Sequence, residues 1–122
     1  MPVELNHTIV HARNKRESAT FVAEILGLPE PQPFGHFLVV KTSNRVSLDF
    51  AETDEEFESQ HYAFHVSEKE FDEIFARIKG RGVEYWADPL QEQPGESYTY
   101  GGGRGVYFED PGGNMLEILT WR

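Results

Sequence analysis

The chain has no cysteine. That removes disulfides, thiolate metal sites and cysteine nucleophiles, and it fits a cytoplasmic setting. No apolar run is long enough to cross a bilayer. The first residues, MPVELNHT, lack a basic stretch followed by an apolar one, so no signal peptide is expected. Cations are scarce: 11 Lys and Arg stand against 21 Asp and Glu, a formal net charge of −10. Such a surface repels phosphate backbones and anionic lipids, so neither nucleic acid nor a membrane is an expected partner. With 122 residues and 39% hydrophobic content, the chain has enough for one compact domain with its own core.

Four of the five histidines fall in two pentapeptides of the same form, HTIVH (His7 to His11) and HYAFH (His61 to His65). On a helix, each pair would share a face and an ion. The flanking residues, VELNHTIV and HYAFHV, favour strands instead. On a strand the two histidines of a pair stand about 13 Å apart at about 3.3 Å per residue. Each copy therefore offers one ligand, His7 or His61. His11 and His65 read as second-sphere, pocket-edge or plain structural residues.

The segments after the two copies are also alike. Asn14 with Glu17, and Ser67 with Glu70, have the spacing of a helix start. Ala19, Val22, Ala23 and Leu26 then recur at helical spacing, as do Phe71, Ile74, Phe75 and Ile78. Strands are expected at His36 to Val40 and Arg45 to Phe50, and again at Gly105 to Glu109 and Asn114 to Trp121. The last two flank Asp110-Pro111-Gly112-Gly113, a strong turn signal. The histidines repeat at an offset of 54 (61 − 7), whereas SLDF and LEIL repeat at 68 (117 − 49). The extra residues fall in PLQEQPGESYTYGGG, Pro89 to Gly103, which reads as a mobile loop. One domain of two related modules is expected, the first about 1–53 and the second about 59–122.

Chemistry is expected around Glu117, the one charged residue of MLEILTW. Alternation puts Met115, Glu117, Leu119 and Trp121 on one face and Leu116, Ile118 and Thr120 on the other. Both faces are apolar, and a carboxylate there is expensive unless a cation or donors meet it. His7 and His61 are its natural partners. Two imidazoles and a carboxylate suit one divalent ion (Fe, Mn, Ni, Co or Zn) and leave positions open for substrate. Taken singly, each of the three reads as a structural or solvated residue. Their coincidence at duplicated positions favours the joint metal site.

The opening LNHTIV, the mid-chain HYAFHV, the ending FEDPGGNMLEI and the paired βαβββ layout give the chain a resemblance. It resembles the vicinal oxygen chelate superfamily, also called the glyoxalase, bleomycin-resistance and extradiol dioxygenase superfamily. The resemblance implies an α+β fold in which two βαβββ modules form a half-open mixed sheet around a metal pocket. It implies metal ligands at His7, His61 and Glu117, with Glu117 near the catalytic step, and a homodimer with modules sometimes exchanged between chains. Asp49 aligns with Glu117 between the two copies. It reads either as the fourth, carboxylate ligand of glyoxalase I-like members, one methylene shorter than their Glu, or as a polar residue on an outer strand.

A small-molecule partner, substrate or drug, is therefore expected, with lyase, isomerase or dioxygenase chemistry. HYAF with the Glu ligand also resembles the fosfomycin-resistance thiol transferases, although only Arg104 offers itself for a phosphonate. Extradiol dioxygenases usually carry a further pair of modules. Tyr98, Tyr100, Arg104 and Tyr107 are the expected pocket residues, and YTYGGGRG the expected lid. The alternative is a drug-sequestering resistance protein without catalysis, whose acidic cleft would suit a cationic drug.

Overall fold

The computed structural model describes residues 2–122 of the chain. It contains two compact units, Met1–Phe57 and Glu58–Arg122. The first unit runs β1 (His7–Ala12), α1 (Lys15–Leu26), β2 (Gln32–Phe34), β3 (Phe37–Lys41) and β4 (Ser47–Glu52). Its four strands lie in the order β1-β4-β3-β2, with β1 parallel to β4 and the rest antiparallel. The crossover from β1 to its parallel neighbour carries the helix, as a parallel pair requires. Asn14 caps α1 by accepting from the Glu17 N–H, and Gly27 ends it in the left-handed region at φ 71°.

Alternation along the strands decides which residues meet α1. Val10 and Ala12, Leu38 and Val40, and Leu48 and Phe50 are buried with Ala19, Val22, Ala23 and Ile25 of the helix. Ile25, not the expected Leu26, closes the helix face. The other sheet face carries His7, Ile9 and His11, all exposed.

The second unit repeats this plan. It runs β5 (His61–His65), α2 (Glu68–Gly80), β6 (Tyr85–Trp86), β7 (Tyr98–Tyr100), β8 (Gly103–Glu109) and β9 (Met115–Leu119). The order is β5-β9-β8-β6, with β5 parallel to β9 and β7 added to the edge of β8. Ser67 and Glu70 form a complete capping box at α2. Phe71, Ile74 and Ile78 of α2 are buried with Val106, Phe108, Leu116 and Ile118. The α+β class and the βαβββ pattern thus match the expectation. The short strands β2, β6 and β7 carry too few residues to show a period and were not anticipated.

The segment expected to be a free loop and lid is partly sheet. Tyr98–Tyr100 pairs with Gly103–Gly105, and Gly101 and Gly102, at φ 54° and 79°, make the two-residue turn between them. The other two glycines of this stretch are there for space. A Cβ on Gly103 would stand 2.7 Å from the Trp121 backbone nitrogen, and one on Gly105 would stand 2.2 Å from the Tyr98 ring.

The turn between β8 and β9 is built from side chains as well as backbone. Asp110 Oδ1 accepts from the Asn114 N–H at 2.9 Å, and Asn114 Nδ2 donates to Asp110 Oδ2 at 3.2 Å. Asn114 Oδ1 in turn accepts from the Gln60 N–H at 3.0 Å, just ahead of β5. This one buried amide therefore sets the turn and fastens β5 beside β9. Asn114→Ala is expected to lower the unfolding free energy by about 2–3 kcal/mol. Denaturant unfolding of the two proteins measures the difference.

Candidate metal and substrate site

Glu117 is 4% exposed and lies on the face of β9 away from α2. Its register neighbours are Ala63 on β5 and Tyr107 on β8. His61 is two residues before Ala63, so it projects on the same face. Its Nε2 stands 3.0 Å from Glu117 Oε1. The other carboxylate oxygen, Oε2, accepts from the Tyr98 hydroxyl. Trp121 Nε1 donates to that same hydroxyl oxygen at 2.8 Å. Both oxygens of this buried carboxylate thus have hydrogen-bond partners.

Aromatic rings surround this carboxylate. Tyr107 lies with its centroid 5.6 Å from His61 and 5.9 Å from Tyr98. Tyr100, exposed at the edge, meets Trp121 edge-on at 4.8 Å. Tyr98, Tyr100 and Tyr107 therefore gather on the Glu117 side of the sheet. Arg104 does not. It falls between Gly103 and Gly105 on β8, and alternation turns it to the helix side. There its Nε donates to Glu68 at 2.8 Å, a terminal nitrogen donates to Asp72 at 2.7 Å, and the guanidinium lies 4.2 Å over the Phe71 ring.

In the first unit, His7 is exposed on β1 opposite Ser47. Its Nδ1 donates to Asn6 Oδ1 at 2.7 Å. Asp49 is 8% exposed, and its Oδ1 has no hydrogen-bond partner. It sits between Ile9 and Val39, the positions that in the second unit are Ala63 and Tyr107. Among the described residues, no group of three or more His, Asp or Glu side chains is gathered to hold an ion. His61 and Glu117 meet in the second unit, while His7 and Asp49 belong to the first.

The pair that meets fits a divalent ion. One imidazole nitrogen and one carboxylate oxygen are borderline donors of the kind such ions take. Adjacent ligand atoms with bonds of about 2.1 Å stand about 3 Å apart at a right angle, and the His61–Glu117 separation is 3.0 Å.

A family model, the Glyoxalase/Bleomycin resistance protein/Dioxygenase superfamily, matches residues 4–118. The chain belongs to that superfamily. It is similar to the solved structure of an oxidase, ChaP-H1, at 57% identity and a TM-score of 0.97, covering 99% of this chain and 98% of that one. A second, oxidase ChaP-H2, is 52% identical with a TM-score of 0.97, covering 100% and 96%. The glutathione transferase FosA of Serratia marcescens is 28% identical over 120 residues, covering 93% of this chain and 78% of FosA.

The phenols flanking Glu117 resist ionisation. Burial, then the Glu117 charge and its hydrogen bond, pushes Tyr107 up to about 12. Burial, then donation to Glu117, carries Tyr98 further above the ordinary phenol range. Above about pH 10 the unfolded chain loses phenolic protons that the folded protein keeps. The stability these two phenols contribute is therefore full below about pH 10 and falls as pH rises through about 12. Alkaline titration of the metal-free protein, followed by tyrosinate absorbance, should show both still protonated at about pH 11 and released on unfolding.

Proposed function

We propose that the chain is a divalent-metal-dependent oxidase that binds a small organic substrate through two neighbouring oxygens. The observation that carries this is the meeting of His61 and Glu117 at 3.0 Å inside an aromatic patch. The 57% identity to a protein described as an oxidase favours oxygen chemistry over lyase or isomerase chemistry. His61, Glu117 and His7 would hold the ion, His7 coming from the first unit of the same chain or of a second copy in a homodimer. Asp49 is a candidate fourth ligand because its buried Oδ1 is unpartnered. Two imidazoles with one carboxylate is the donor set of non-haem Fe(II) oxygenases, so iron heads the list ahead of Mn, Co, Ni and Zn. Such an ion, when bound, polarises the chelated oxygens and gives access to dioxygen chemistry.

The chain's own residues do the rest. Glu117 supplies a carboxylate held in one orientation by its neighbours. Tyr107, Tyr98 and Trp121 offer flat apolar surface beside it, which suits an aromatic or otherwise planar substrate and keeps water away. Arg104 is committed to Glu68 and Asp72, so it does not stand beside Glu117 for a phosphonate. This weighs against the reaction of the fosfomycin-resistance relatives. The second reading, drug sequestration, draws on the net charge of −10.

Protein purified without chelator should contain about one metal equivalent per chain, lost in both His61→Ala and Glu117→Ala. Fe(II)-loaded protein should consume dioxygen when given a suitable ortho-dihydroxy or hydroxyketo aromatic compound. A protein that takes up no metal yet binds cationic aromatic drugs tightly would replace the oxidase with sequestration.

A further inference from the structure

The two oxygens of Glu117 have different neighbours. Oε1 faces His61 Nε2 at 3.0 Å, and Oε2 accepts from the Tyr98 hydroxyl. A phenol has one proton to give. Trp121 Nε1 can only donate, and it occupies the Tyr98 oxygen at 2.8 Å. The phenol must therefore accept from the indole and direct its own proton to Glu117. The phenol also has a purpose-built seat, since Gly105 has no room for a Cβ beneath the Tyr98 ring. Gly103 makes the same allowance for Trp121. The strand β7 that carries Tyr98 belongs to the segment by which the second unit exceeds the first.

We propose that Tyr98 is a positioning residue for Glu117: its hydroxyl, aimed by the Trp121 indole, holds Oε2 so that Oε1 alone faces the ion. The inference rests on the metal reading above and deepens it. A carboxylate with both oxygens free can chelate an ion through both and take two positions. With Oε2 engaged it takes one, and a position stays open for a substrate that arrives with two oxygens. Packing of the hairpin needs the Tyr98 ring but not its hydroxyl.

The test is titration of Co(II) into metal-free wild type, Tyr98→Phe and Trp121→Phe, followed by visible absorption and calorimetry. Tyr98→Phe keeps the ring and loses the proton. It should bind Co(II) roughly 10-fold or more weakly and show a shifted d–d spectrum, the mark of changed coordination. Trp121→Phe keeps the phenol but frees its orientation, and should move the spectrum the same way by less. It carries the test if Tyr98→Phe does not fold. Affinity and spectrum unchanged in both variants overturn the inference while leaving the metal reading intact. A wild type that binds no Co(II) overturns both.

Discussion

A carboxylate on an inner strand, 4% exposed, is the demand around which the second unit is organised. Desolvating such a group without donors costs several kcal/mol, on the order of a typical domain's whole stability margin. The chain meets that demand with His61 from β5, with Tyr98 from β7 and with the neighbouring Tyr107 from β8. Each donor has its own structural requirement. His61 needs β5 parallel to β9, and Asn114 secures that by binding Gln60. Tyr98 needs a hairpin and a glycine to lie on. The Gly-rich stretch, the DPGGN turn and Trp121 all bear on the surroundings of one buried carboxylate.

The two units share a plan and differ in detail. Asp49 and Glu117 occupy equivalent places, between Ile9 and Val39 in one unit and between Ala63 and Tyr107 in the other. Only the second unit has the additional strand and a phenol at the register neighbour. The first keeps a carboxylate with an orphaned buried oxygen. An orphan of this kind costs about 1–3 kcal/mol, so it persists more easily where it serves a ligand. That is the physical support for giving Asp49 a part in the proposed site.

Charge is used sparingly near the chemistry. The one cation in the hairpin, Arg104, spends its hydrogen bonds on Glu68 and Asp72 and its face on Phe71. It binds α2 to the sheet from the side opposite Glu117. Beside Glu117 stand the rings of Tyr98 and Tyr107 and the His61 imidazole. In the proposed reading, such a surface suits flat, oxygen-bearing molecules.

Much of this was determined by the sequence by itself. The period of the apolar residues placed two helices and the longer strands, because burial on one face imposes a period of its own. The 54-residue offset between HTIVH and HYAFH pointed to the repeated plan, and the lone charge in MLEILTW marked Glu117. Only the tertiary structure decided the rest. Strands of two or three residues, such as β6 and β7, have no period to read, so the glycine stretch passed for a free loop. Whether Tyr98 or Arg104 reaches Glu117 depends on which face of β8 each meets and on what lies across the sheet. Hydrogen bonds between residues 19 to 56 positions apart are set by strand pairing, and no local pattern carries that information.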